Sequence, residues 1–277
     1  MISKQIIKDL LLIRERRPLI HHIMNFVVMN DSANVTLAVG ASPIMAHAVE
    51  ELEDLVSVAD AIYINIGTLD SFWIDSMFYI SKLVDKYNKP LLLDPVGAGA
   101  TKLRTEISKK LLERGNISIL KGNAGEMLSL AGLGEKVKGV DSLVEIGSEA
   151  VEILAKRYNV TAVATGKIDY ISDGEKVASV EGGSYLFKYV TGTGCMLGSV
   201  MASFMAVNKD YFTAAIEGSA LFKRAGEIAE KRSGSNPGSF KVELINAIYN
   251  FPDYDHSDLD QRIKIFGGNS SKKYQKI

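Results

Sequence analysis

The chain has 277 residues, enough to bury a large core, and 47% of them are hydrophobic against 23% charged. Its 32 basic and 33 acidic side chains leave a formal net charge of −1, which gives no electrostatic footing to nucleic acid or an anionic membrane as partner. A single cysteine excludes an intrachain disulfide, and the opening Met1–Gln5 lacks the apolar core of a secretion signal, so a cytoplasmic protein is expected.

Ile2, Ile6, Leu10 and Ile13 recur at helical spacing over residues 2–16, and Pro18 ends that helix. An apolar run from Leu19 leads to the polar Asn25. Asn30, Asp31 and Ser32 form a candidate cap for a short helix over 33–39, stopped by Gly40. A short extended piece at 41–45 and a helix over 46–58 follow. Four β-rich runs come next, at 61–66, 90–94, 117–121 and 161–165, with helical segments at 70–88, 102–113, 124–132 and 142–158. This alternation specifies a parallel sheet with helices on both faces, and runs that are apolar throughout suit strands covered on both sides.

Each run closes on a small or polar cluster: Gly67–Thr68, Asp94–Pro95–Val96–Gly97, Lys121–Gly122–Asn123 and Thr165–Gly166. Ligands of open parallel sheets bind beyond the carboxyl ends of the strands, so these clusters are candidate site residues on topology alone. Asp173–Gly174 then marks a hairpin between 169–172 and 176–180. Residues 189–208 are uncharged, but their glycines, threonines and serines fit a buried helix better than a membrane span. Helices at about 210–231 and 239–249 complete one α/β domain over 1–251. The polar stretch 252–277 is expected to be a weakly ordered tail.

The chemistry concentrates at Val190–Thr191–Gly192–Thr193–Gly194–Cys195, where a glycine-rich turn opens into the apolar helix. Free backbone N–H groups and the positive end of the helix dipole make this an anion site, with the only cysteine on its rim. The spacing Gly192-x-Gly194-x-x-x-Gly198 is one residue too long for a dinucleotide fingerprint. No Walker lysine motif, Gly-x-Ser-x-Gly elbow, His-x-x-x-His or Cys-x-x-Cys occurs, which leaves no P-loop, hydrolase or zinc signature. Asp94, Glu126 and Lys121 beside such a turn suggest a triphosphate with magnesium. Asn123 and Glu126 equally match a capping box, with no ligand at all. Cys195, at a helix N-terminus that favours thiolate, could also serve as a covalent nucleophile.

Five segments occur in order: Asn34–Met45, Asp94–Ala100, Lys121–Glu126, Thr165-Gly166-x-x-Asp169-Tyr170 and Gly192–Cys195. Together they resemble the hydroxyethylthiazole kinase family, the thiamin-salvage branch of the ribokinase-like superfamily. The resemblance implies a single-domain, three-layer α/β fold with a mostly parallel sheet. It implies ATP-dependent phosphorylation of a thiazole's primary alcohol with Mg2+, in a homotrimer whose sites lie between subunits. Carried over by position, Asn25, Val27, Met45, Gly67, Gly192 and Gly194 would bind substrate. Lys121, Asn123, Thr165, Gly192, Thr193 and Gly194 would bind ATP, and Asp94 and Glu126 the metal. Cys195 stands where most of the superfamily has an aspartate as catalytic base. Met24 departs from the threonine usual before Asn25.

Overall fold

Alternation along the strands decides which side chains can reach the site. The structure is a computed structural model that describes residues 2–134 and 142–267. In chain order the helices are α1 (Ile2–Arg16), α2 (Met29–Val39), α3 (Leu52–Val58), α4 (Ser71–Tyr87), α5 (Lys102–Glu113), α6 (Ala124–Ala131), α7 (Ser142–Tyr158), α8 (Thr193–Val207), α9 (Tyr211–Ser233), α10 (Pro237–Tyr249) and α11 (Leu259–Arg262). The strands are β1 (Leu19–Ile23), β2 (Ser42–Met45), β3 (Ala61–Asn65), β4 (Leu91–Asp94), β5 (Ile119–Asn123), β6 (Thr161–Thr165), β7 (Ile168–Ser172), β8 (Lys176–Glu181) and β9 (Ile263–Gly267). They form one sheet in the order β2-β1-β3-β4-β5-β6-β7-β8-β9. Strands β1 to β6 pair in parallel, and β7, β8 and β9 continue the sheet antiparallel.

Helices cover both faces, giving three layers. On one side Ala61, Tyr63, Leu92, Ile119 and Val163 pack under α1, α2, α8, α9 and α10. On the other, Ile62, Ile64, Leu91, Leu93 and Leu120 pack against α3 to α7. Successive strand residues point to opposite faces. Asn65, Asp94, Lys121 and Thr165 therefore share a face with Tyr63, Leu92, Ile119 and Val163, the face that α8 covers. Helix α8 is buried almost from end to end, from Thr193 to Met205. No helix among the described residues is long and apolar enough to cross a membrane.

Several local expectations change. Helix α2 starts at Met29, so Asn30–Ser32 lie within its first turn and do not cap it; Ser32 is buried. Helix α3 begins only at Leu52, because the segment before it is drawn to the sheet, where the Ala46 carbonyl meets His21 Nε2 at 2.8 Å. Strand β5 runs two residues further than its apolar pattern, since Lys121, Gly122 and Asn123 pair with Val163, Ala164 and Thr165 of β6. The polar stretch after Phe251 is not all weakly ordered: α11 and β9 fall in it, and β9 pairs with β8 through Ile263↔Val180 to Gly267↔Lys176. Residues 268–277 lie outside the described residues.

His22 is buried in the core. Burial pushes His22 down to about 3, so it is neutral in the core between the Ile20 carbonyl and Ser199 Oγ.

Candidate active site

The helix α8 N-terminus meets the carboxyl ends of β1, β3, β4 and β5. Gly192 caps the helix in the left-handed region (φ 81°), a conformation that favours glycine. A side chain there would also run into Val28. The N–H groups of Thr193, Gly194 and Cys195 have no acceptor within the helix; Met196 is the first to bond back, to the Gly192 carbonyl at 2.9 Å. Three amides without intrahelical acceptors at the positive end of a buried helix make a candidate oxyanion site that needs no side chain.

Beneath this turn lies a buried ion pair. Lys121 Nζ donates to Asp94 Oδ2 at 2.7 Å and to the Gly194 carbonyl at 2.9 Å. The two side chains are only 3% and 2% exposed. Burial is the largest single effect and opposes the Lys121 charge, but Asp94, Cys195 and Glu126 together hold the ammonium above its ordinary value. Tyr63 Oη lies 3.0 Å from the same Asp94 oxygen and 3.1 Å from the Cys195 carbonyl, sharing its one proton between them. Burial, then Asp94, raises the tyrosine well above its usual range, so it stays a neutral phenol. Gly198 lets this ring approach α8; a methyl group there would collide with the tyrosine hydroxyl.

Cys195 Sγ accepts from Asn65 Nδ2 at 3.2 Å and from Asn25 Nδ2 at 3.6 Å. The helix N-terminus suggested a lowered thiol, but burial dominates and, with Asp94, raises Cys195 to about 11. The side chain is thus a thiol at neutral pH, faced by two amide donors. This weakens the covalent-nucleophile reading.

Glu126 forms the full capping box. Asn123 Oδ1 accepts the Glu126 N–H at 3.0 Å, and Glu126 Oε2 accepts the Asn123 N–H at 2.7 Å. Its other oxygen accepts the Gly97 N–H at 2.8 Å and so ties the β4–α5 loop to α6. Burial and Asp94 raise this carboxyl above its ordinary value.

The expected site residues fall into three settings. Asn25, Gly67, Asp94, Lys121, Gly192, Gly194 and Cys195 converge as described, with Gly67 pressed against Asn25. Thr165 Oγ1 donates to the Gly122 carbonyl at 3.2 Å, while Thr193 Oγ1 is taken by the Phe187 carbonyl at 3.0 Å, so Thr193 offers its backbone alone. Val27 is 66% exposed and stands outside the buried cluster, and Met45 is half-buried on the sheet edge. It is Val28 that reaches Gly192.

Three participants were missed from sequence. Asn65 and Tyr63 were hidden inside a run read as apolar, although an asparagine closing such a run is itself a signal. Arg104 clamps two site loops, donating to the Val96 and Gly67 carbonyls at 2.8 Å each; nothing in its helical segment marked it.

The three-layer sheet is the fold of ribokinase-like small-molecule kinases, and an amide-lined helix end, a buried lysine–carboxylate pair and strand-end loops lie together at the carboxyl ends of its strands. Pyridoxal kinase from Staphylococcus aureus in complex with ADP shares this fold, with a TM-score of 0.60 at 16% identity over 76% of this chain and 87% of that one. The model of the hydroxyethylthiazole kinase family matches residues 10–253, and the chain belongs to that family. It is 53% identical over 255 residues to the hydroxyethylthiazole kinase of Caldivirga maquilingensis, covering 92% of this chain and 96% of the relative. The structure of the hydroxyethylthiazole kinase protein from Pyrococcus horikoshii OT3 superposes with a TM-score of 0.85 at 42% identity, covering 95% and 99% of the two chains.

Proposed function

We propose that this chain phosphorylates the primary alcohol of 4-methyl-5-(2-hydroxyethyl)thiazole from ATP, a thiamin-salvage step in the cytoplasm. The observation that carries the reading is the convergence of Asn25, Cys195 and the amides of Gly192–Cys195 at one point, in a chain of this family. The Asn25 side fits the acceptor alcohol, and the α8 amides fit the phosphoryl group in flight.

The residues fit a magnesium-bound triphosphate. Asp94 Oδ2 takes Lys121, Tyr63 and Asn65, and among the described residues Oδ1 takes no donor, so it remains for a hydrated cation. No group of three or more acidic, histidine or cysteine side chains among the described residues forms a cage. Two carboxylates plus water suit magnesium, which keeps most of its water and phosphate ligands. When bound, the metal would neutralise charge on the triphosphate, held by Asp94 and Glu126. Lys121 pairs with Asp94 and adds positive charge below the turn. Cys195, in its minor thiolate form, accepts the alcohol proton at Sγ, and the N–H groups of Thr193, Gly194 and Cys195 stabilise the negative oxygens. Thr165 and Asn123 border the ATP side.

Two subunits fit the substrate side better than one. Phe26 (59%) and Phe72 (44%) are exposed against Trp73, which stacks on His47, and Val27 beside Phe26 is 66% exposed. An exposed apolar cluster of this kind is that of an interface, and the homotrimer with sites between copies that the family resemblance implies would cover it.

The test is purified protein with MgATP and the thiazole alcohol, followed for thiazole phosphate and ADP. Product only with a pyrimidine or pyridoxal alcohol would move the substrate within the fold, and ATP binding without any turnover would make the protein a sensor. Light scattering checks the trimer, which Val27→Glu should dissociate with loss of thiazole binding.

A further inference from the structure

The carboxamide of Asn65 lies at the centre of the site. Asn65 ends β3 directly opposite Asp94 of β4 and is fully buried. Its orientation follows from the Gly67 N–H, which can only donate and lies 3.0 Å from Oδ1. The same oxygen accepts from Asn25 Nδ2 at 2.7 Å. Nitrogen therefore faces the opposite side, toward Asp94 Oδ2 at 3.1 Å, Tyr63 Oη at 3.1 Å and Cys195 Sγ at 3.2 Å. One end of the amide holds the two substrate-side segments, and the other holds the thiol and the carboxylate. Two hydrogens serve three acceptors, so the donor capacity of the group is fully committed.

We infer that Asn65 is a positioning residue of the transfer reaction, which acts by holding Cys195 Sγ toward the alcohol while tying the Asn25 and Gly67 segments to the same point. This role rests on Cys195 acting as the base in the proposed function. Asn65 is fully buried, so its proposed action runs through the groups it holds. Its contribution through Sγ belongs in turnover and disappears once the thiol is gone, while its hold on Asn25 and Gly67 bears on the thiazole KM alone.

The experiment is a double-mutant cycle of Asn65→Ala with Cys195→Ala, with melting temperatures recorded throughout. Asn65→Ala should lower kcat about tenfold, as loss of an aligned hydrogen bond does, and leave the KM for ATP within about twofold. In the Cys195→Ala background the same change should cost no more than about twofold. Asn65→Ser, smaller but still a donor, is the second variant if alanine does not fold, and should recover part of kcat. The infrared S–H band gives a reading independent of activity, because the chain has one cysteine; it should shift in Asn65→Ala. An equal loss of kcat in both backgrounds overturns the inference, as does an unmoved S–H band in an active enzyme. A shifted band in a folded protein without thiazole turnover overturns the kinase reading instead, and this role with it.

Discussion

Lys121 Nζ sits 2.7 Å from Asp94 Oδ2 in a nearly fully buried setting, and the same ammonium reaches over to the Gly194 carbonyl. The lysine therefore stands under the anion turn as part of its foundation. Removing one partner of a buried pair costs about 3–5 kcal/mol because the other charge is left uncompensated. Lys121→Met should lose stability on that scale, and Lys121→Met with Asp94→Asn should regain much of it, measured by denaturant unfolding. In whatever fraction stays folded, the KM for ATP should rise more than the KM for thiazole. Equal rises would place Lys121 outside the ATP side.

Glu126 has two separable duties. As the capping partner of Asn123 and the anchor of Gly97, its removal should cost about 1 kcal/mol or somewhat more in stability. As a carboxylate toward metal-bound phosphate, its removal should also lower kcat. We expect both in Glu126→Ala, with thiazole binding nearly intact by calorimetry. A lower melting temperature with unchanged kcat would reduce Glu126 to a cap.

Cys195 sets the pH behaviour of the rate. With the thiol raised to about 11 by burial and Asp94, the thiolate is a minor form at neutral pH and grows as pH rises. The parent kcat should therefore climb between about pH 7 and 9, since general-base work follows the deprotonated fraction. Cys195→Asp places an ionised group at the helix N-terminus, where the dipole and two amide donors favour it. It should be at least as active as the parent at pH 7 and nearly flat above it. Cys195→Ala should keep residual turnover from the α8 amides. A parent profile flat from pH 6 to 9 would argue against the thiol as base.

Far from the reaction, Asp9 and Glu217 are buried together, with Asn208 Nδ2 donating to both, at 3.0 Å and 3.3 Å. Burial, then Asp9, raises Glu217 from 4.5 to about 9. A carboxyl raised by folding contributes its stability fully below the unfolded value, near 4.5, and loses it as pH climbs toward 9. Glu217→Gln mimics the protonated form. It should raise the melting temperature at pH 8–9, make no gain near pH 4.5, and flatten the slope between; a parallel shift at every pH would refute the assignment.

Most of the architecture was legible because apolar runs and strand-end clusters obey the same rule: a strand buried on both faces can be polar only where it leaves the sheet. That rule located Asp94, Lys121 and Thr165. It failed where polar atoms sit inside the run, at Tyr63 and Asn65, because buried polar groups satisfied by one another leave no break in hydrophobicity. The end of β5 was misjudged for the same reason, since Lys121 looks like the end of a strand until its partner Asp94 is known. Val27 and Val28 are indistinguishable in sequence, and only the turn before α2 decides which of them faces Gly192. The strand Ile263–Gly267 was concealed by the acidic stretch before it and shows its character only against β8.

Gly198 carries no functional group, yet its bare backbone is what allows the Tyr63 hydroxyl to reach both Asp94 and the Cys195 carbonyl. The smallest side chain on α8 is thus a clearance, and clearances escape any search confined to reactive atoms. Alanine scanning cannot probe such a position by deletion, because alanine here is an addition. A single methyl at 198 would push the phenol outward and unseat the carboxylate beneath the anion turn, imitating an active-site lesion from a residue with nothing to contribute to chemistry.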